Sequence, residues 1–416
     1  MAPTTTPVAA NRKARGHRPV FHGWWIVAVF AVTQTVGYGT LYYAFAVLLH
    51  PIATDLRTSP PMVTGALTTA VLTGAAAAIP VGRWLDHHGG RALMALGSLT
   101  GAGLLVAWSR VHEVWQLYLV FAALGVAMAM SLYEAATAVI VSWFDAARRS
   151  RALLGMMIVA GFASTIFMPL TGLLEQRYGW RTTLLVLAAV NGTVAVPLHA
   201  LIVRRPPAGH SAAGQPTATQ RAAAVRAAVH DSRFWCLAVA FVAHSAAMTA
   251  MTVHLVGFLT DEGHPATFAA TVAGLLGVLS VTGRLVLTGA QRRIPLTTVV
   301  AIVFATQAVA AFALPLLAGT RTGAVIGVVA FGIGFGIANL ASPALLADRY
   351  GTSGYATIAS TLGTPVTLAK AGAPLGAAAL YTATGGYTPV LAVIGATCLV
   401  AAAGMLARAG TPRPTA

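Results

Sequence analysis

The chain has 416 residues, 57% of them apolar and only 9% charged, with a mean hydropathy of +0.76. Soluble globular domains carry roughly a quarter charged residues, so this composition excludes a soluble enzyme or a disordered tail and points to a polytopic membrane protein. Lys and Arg total 26 against 10 Asp and Glu, a balance of +16 whose meaning depends on where the cations lie; Cys236 and Cys398 sit in apolar runs and exclude a disulfide scaffold or a cysteine metal cluster.

Residues 1–21 form a polar tail, and the apolar run from Trp24 to His50 is too long for a signal-peptide core, so the first span stays in the mature protein. Further apolar spans follow near 62–82, 91–109, 114–141, 152–174 and 181–203. Residues 204–232, opening on Arg204, Arg205, Pro206 and Pro207, cannot cross a bilayer and read as a linker. Six more spans lie near 234–259, 267–290, 296–318, 323–346, 354–381 and 387–407, before a short tail, 409–416. The predicted fold is an all-α membrane protein: twelve transmembrane helices in two six-helix bundles, 22–203 and 233–408.

An even count puts both termini on one side, and cytoplasmic loops retain Lys and Arg. With the termini cytoplasmic, the inner segments hold 19 cations, from Arg12 to Arg413, and the outer loops hold five: Arg57, Arg110, Arg177, Arg181 and Arg321. The excess positive charge is therefore membrane topology, in the inner (cytoplasmic) membrane of a cell, and no nucleic-acid partner is needed. Arg284 and Lys370 are left over, and both fall inside spans, the eighth and the eleventh.

The loop between spans 2 and 3 reads Gly82-Arg83-Trp-Leu-Asp86-His-His-Gly89-Gly-Arg91. It closely resembles the G-x-x-x-D-x-x-G-x-R signature of the major facilitator superfamily. Gly82 and Gly89 are expected to permit a tight turn, and Asp86 to cap a helix or pair with a loop arginine and latch the cytoplasmic gate. The counterpart in the second half, Thr288-Gly-Ala-Gln-Arg292-Arg293, is degenerate, which leaves the gate to the first loop. Three stretches carry a finer resemblance: Gly37–Phe45 in span 1, Arg284 in span 8, and Ala369–Gly376 around Lys370 in span 11. Together they resemble the oxalate/formate antiporter and monocarboxylate transporter branch. The resemblance implies that Arg284 and Lys370 bind substrate carboxylates.

The physics of burial points the same way. A charge at the bilayer centre costs about 2.5–3.5 kcal/mol on insertion scales, so such residues face a cavity or a partner. Lys370 lies about 24 and 22 Å along the helix from Gly354 and Gly385, too deep for its stem to snorkel, whereas Arg284 lies only about 12 Å from Arg292. A planar guanidinium and a compact ammonium together suit a small anion with one or two carboxylates. Glu134 in span 4 is the acid well inside a span and the candidate proton carrier, with a structural ion pair as the alternative. Gln34, Tyr38 and Tyr42 recur on one face of span 1 and are candidate substrate contacts, although helix packing explains them equally well. Ser360, Thr364 and Thr367 lead toward Lys370 as a polar stripe, while His244 and His254 read as interhelical histidines.

The expected function is secondary transport of a small organic anion by alternating access, as anion exchange or proton symport, by a monomer that uses no cofactor or metal and whose partners are substrate, lipid and protons. A proton-driven exporter of amphipathic drugs is the alternative. It is disfavoured because Met168-Pro169 and Thr171 depart from the exporters' span 5 pattern. No HExxH, phosphate-cradling loop or catalytic constellation supports an enzyme, and the short polar tails give little ground for a receptor or scaffold.

Overall fold

The computed structural model describes residues 22–144, 146–204, 226–290, 293–350 and 355–407, and all regular structure among them is helical. The first crossing is α1 (His22–Tyr38), a π turn (Gly39–Tyr43) and α2 (Ala44–Asp55). Crossings two and three are α3 (Pro60–His88) and α4 (Gly90–Ser109). The fourth is split into α5 (Val114–Ser131) and α6 (Tyr133–Trp143). Then come α7 (Ala146–Ala160) and α8 (Ala163–Ile202), which together make two crossings because Gly179, at φ +74°, reverses the chain inside α8. The second half comprises α9 (Ser232–Asp261), α10 (Ala266–Ala290), α11 (Leu296–Leu317), a crossing split into α12 (Arg321–Gly332) and α13 (Ile337–Tyr350), α14 (Tyr355–Thr384) and α15 (Thr388–Leu406).

Nine continuous stretches among the described residues are long and apolar enough to cross a membrane. The stretch 151–202 contributes two crossings, and α12–α13 and α14 supply the rest, giving twelve. Hydrocarbon offers no partner for a free backbone amide, so a chain this apolar satisfies its backbone within helices. The fourth and tenth crossings, which hold the same place in the two halves, are both interrupted: Leu132 is extended, and residues 333–336 form a turn with Gly336 at φ +84°.

The core shows how the two bundles meet. At the end where the first crossing begins, here the tail end, each bundle has its own cluster: Ile26, Phe30, Met94 and Ile140 in the first, Phe234, Phe304, Leu346 and Met405 in the second. Toward the opposite, far end one cluster joins Ala46, Val47 and Met168 of the first bundle to Met251, Phe258 and Leu276 of the second. The described bundles are thus packed together over the far half and separate toward the tail end.

Two crossings make most of this contact, α8 against α10 and α3 against α14. At the first, a Cβ on Gly277 would stand 2.6 Å from the Gly161 carbonyl oxygen, so the backbones approach as only small residues allow. Thr165 Oγ1 donates to the Gly274 carbonyl at 2.7 Å and accepts the Val278 N–H at 3.0 Å, inserting itself into one rung of the α10 ladder. At the second, Thr68 Oγ1 donates to the Ala371 carbonyl at 2.7 Å.

Within the second bundle the tail end is tied by Asp231. Its carboxylate accepts the Arg233 N–H at 3.0 Å as the cap of α9, and it receives Arg349 Nε at 3.2 Å and Tyr350 Oη at 3.1 Å from α13. Burial pushes this carboxyl up, but the three hydrogen bonds outweigh burial and hold it below the usual carboxylate range.

Gly277→Ala should destabilise the protein by about 1–3 kcal/mol through overpacking against the Gly161 carbonyl, read as a lower unfolding temperature in detergent. Asp231→Ala should remove roughly 1–2 kcal/mol. Because the folded carboxyl sits below its unfolded value of about 4, that contribution is full above pH 4 and fades as pH falls through the lower folded value. Denaturant unfolding of wild type and variant at neutral and acidic pH should therefore show their difference shrinking in acid.

Candidate functional site

The loop signature behaves differently from its expected form. Gly82 lies inside α3, with open space where a Cβ would go, so it makes no turn. The turn belongs to Gly89 alone, at φ +78°, between α3 and α4. Arg91 Nε donates to the Ala200 carbonyl, pinning the third crossing to the end of the sixth, and Arg83 is exposed. The side chains of Asp86, Thr288 and Arg284 lie outside the described residues, as does Arg292; Arg284 is placed only by its backbone, within α10.

The central site is built around Lys370, on α14 one residue before the Ala371 carbonyl that Thr68 grips. Its side chain is solvent-accessible although protein groups surround it on most sides. Glu134 of α6 lies within electrostatic range across the bundle interface. The two form no ion pair: those among the described residues are Arg181–Asp55 and Arg349–Asp231.

Glu134 owes its position to the break at Leu132. The extended residue starts a new helix at Tyr133 with no side-chain cap, and the carboxylate sits in the first turn, where unpaired N–H groups and the helix dipole favour negative charge. The break also strands the Ser131 carbonyl. Gln34 repairs that loss: it is fully buried, and its Nε2 donates to Ser131 O at 2.9 Å. Gln34 thus holds the first crossing to the fourth and is shielded from solvent, whereas Tyr38 and Tyr42 are only half-buried.

Around Tyr38 the rings of Tyr133, Tyr42 and Tyr43 lie with centroids at 4.6, 6.2 and 6.4 Å. Tyr38 is itself within electrostatic range of Glu134. Tyr43 and Tyr133 escape a four-residue count along span 1. The widened π turn Gly39–Tyr43 brings Tyr42 and Tyr43 against the same ring, and the α6 start brings Tyr133. The sequence signal for Tyr133 was its place beside Glu134.

His244 of α9 also lies within electrostatic range of Lys370. Its Nε2 meets Gln307 Oε1 at 3.1 Å, its ring stacks on Phe304 at 4.0 Å, and its Nδ1 has no partner. Gln307, whose Nε2 donates to the Phe331 carbonyl at 2.9 Å, fixes that imidazole from the ninth crossing. Of the polar stripe on α14, Thr367 is half-buried, and the side chain of Ser360 lies outside the described residues.

Two bundles of apolar helices, joined toward one end and separate toward the other, with Lys370 and Glu134 within electrostatic range across their interface, have the architecture of a membrane carrier of the secondary-transport type. The Major Facilitator Superfamily profile matches residues 31–371, and the chain belongs to that superfamily. No curated protein matches the chain at a significant level. Among solved structures it is similar to a bacterial homologue of the human lysosomal transporter Spinster in an inward-facing, unoccupied conformation, at 17% identity and a TM-score of 0.69, covering 95% of this chain and 96% of that one. An inward-facing, occupied structure of such a homologue gives 16% identity, a TM-score of 0.72, and 94% and 97% coverage. The nucleoside transporter NupG gives 13%, 0.69, and 92% and 98%. At these identities the likeness is one of fold.

Gln34→Leu should leave the Ser131 carbonyl buried without a partner and cost about 1–3 kcal/mol, whereas Tyr42→Phe, which removes a hydroxyl at the half-open wall, should cost less than half of that. Thermal unfolding of the two variants side by side checks the contrast.

Proposed function

We propose that this carrier moves a small organic anion, a mono- or dicarboxylate, by alternating access between its two bundles. The observation that carries this reading is Lys370: an ammonium deep in the membrane-spanning region, enclosed yet accessible, and without an ion-pair partner among the described residues. A substrate carboxylate supplies the partner. The two bundles, 22–203 and 233–408, are joined by the cytoplasmic linker 204–232, and the distribution of Lys and Arg orients both tails toward the cytoplasm, in the inner membrane. The protein works as a monomer. Arg284 is the proposed second cation and Tyr38 and Tyr42 the proposed hydroxyl contacts, with Gln34 supporting the wall from behind. Gly82, Arg83, Asp86, Gly89 and Arg91 form the proposed cytoplasmic gate segment.

Glu134 gives this reading a coupling step. As a carboxylate it offsets the Lys370 charge across the cavity; once protonated it leaves the ammonium uncompensated and ready for an anion. Proton and anion then travel together. In anion exchange Glu134 stays ionised and a second anion takes its turn.

A second reading, a proton-driven exporter of amphipathic compounds, is favoured by the four tyrosines beside Glu134, a surface that suits an organic cation. Counterflow in proteoliposomes with labelled oxalate, formate, lactate and pyruvate separates the two. At least one carboxylate should exchange, Lys370→Ala should reduce that exchange at least about tenfold, and Glu134→Gln should abolish stimulation by a proton gradient while sparing counterflow. Lack of uptake of any carboxylate, together with drug protection on expression that Glu134→Gln removes, would establish the exporter instead.

A further inference from the structure

Toward the far end the bundles are joined by a hydrogen-bonded chain of three titratable side chains, whose inner end rests on the Pro374 carbonyl one helical turn beyond Lys370. His50 of α2 in the first bundle, half-buried, places Nε2 3.3 Å from the Tyr387 hydroxyl at the start of the twelfth crossing. On the other side of that hydroxyl stands His254 Nδ1, also at 3.3 Å, and His254 Nε2 lies 2.9 Å from the Pro374 carbonyl of α14. His254 and Tyr387 are buried. His50 is the sole contribution of the first bundle to the trio.

The carbonyl fixes the direction of every bond in the uncharged state. A carbonyl only accepts, so His254 carries its proton on Nε2 and leaves Nδ1 as an acceptor. Tyr387 therefore donates to His254 Nδ1, and its oxygen accepts the Nε2–H of His50. One added proton fits: on His50 it goes to Nδ1 and the chain is unchanged, and on His254 Nδ1 it reverses the chain, with Tyr387 donating to a His50 that has shifted its own proton to Nδ1. A second added proton does not fit. Both imidazolium rings would then aim a donor at one phenol oxygen, and the phenol hydrogen would have no acceptor in the trio, with two like charges on either side of it.

Among the described residues, the other titratable groups facing the trio are Asp261 and Tyr381. Asp261 lies at the exposed end of α9 within electrostatic range of His50 and Tyr387, and it accepts a hydrogen bond from Tyr381 Oη at 2.9 Å. The Tyr381 ring packs on Tyr387 at 4.4 Å. The Asp261 carboxylate is thus already engaged, and it attracts protons toward His50 from the far-side water without being a member of the chain. Gly257 of α9 completes the fit: a Cβ there would collide with both His50 Nε2 and Tyr387 Oη.

We propose that His50, Tyr387 and His254 form a proton-binding latch between the bundles, which holds the far end shut with up to one added proton and releases it when both imidazoles are charged. Acid on the far side then promotes opening toward that side. The second imidazole gains its proton beside one already charged, so release falls on the acid side of the unperturbed imidazole range near pH 6.5. The latch binds its proton without any substrate, so it stands or falls independently of the anion reading.

The test is a distance measurement across the far end, on full-length protein in nanodiscs with no carboxylate present. Spin labels are placed through Arg57→Cys and Thr384→Cys in a chain carrying Cys236→Ser and Cys398→Ala, and pulsed electron resonance is recorded from pH 8 to pH 4. The far-open to far-closed ratio should rise by about tenfold or more on acidification, as follows when an imidazole binds its proton tenfold more tightly in the open state. His50→Gln and His254→Gln should each flatten that response, and Tyr387→Phe, which keeps the ring and removes the relay, should populate the open form at pH 8. Gly257→Ala should open the far end at every pH. No pH-dependent distance in the parent, or an equal response in His50→Gln and His254→Gln variants that elute as monodisperse protein, would overturn the proposal.

Discussion

The architecture depends on how closely two apolar bundles can approach where there is no hydrophobic force to drive them together. Lipid tails are as apolar as leucine, so contact between helices in the membrane is won by packing and by hydrogen bonds between backbones brought close. At the α8–α10 crossing both are present: Gly277 lies against the Gly161 carbonyl, and Thr165 shares the Gly274–Val278 rung of the partner helix. Thr68 does similar work between α3 and α14. These contacts join the bundles while their tail-end cores stay separate, and Lys370 and Glu134 lie on opposite sides of the interface.

That interface carries a deliberate imbalance. Lys370 and Glu134 sit on different bundles and sense each other without pairing, while the uncapped start of α6 adds a fixed positive field beside the carboxylate. A closed ion pair would satisfy both groups and leave nothing for a ligand to gain. In the proposed carrier an open arrangement keeps the electrostatic cost high until a charged substrate enters, which is the condition for binding energy to bias the conformational equilibrium.

Much of the fold was legible in the sequence because a bilayer imposes long apolar runs, and the positive φ of Gly89 confirmed a turn at the loop motif. The place of Lys370 in the middle of a long helix was likewise readable from its distance to both span ends. What composition and periodicity could not give were departures from regular helix. The π turn at Gly39–Tyr43 puts Tyr42 and Tyr43 on one cluster, and the break at Leu132 turns Gln34 from a wall residue into the repair of a stranded carbonyl. Gly82, spaced as a turn residue, is carried inside a helix because α3 runs on to His88. The histidines at positions 50, 244 and 254 gained meaning only from their partners across the chain, 337 residues away for His50.

The interruptions at Leu132 and at residues 333–336 fall at matching places in the two halves, and each leaves a short helix on the tail side, 11 residues in α6 and 14 in α13. A rod severed at mid-depth need not tilt as a whole. Each bundle therefore carries a tail-side segment whose direction is set separately from that of the helix behind it, so a change of aim there is not passed on to the far half of the crossing.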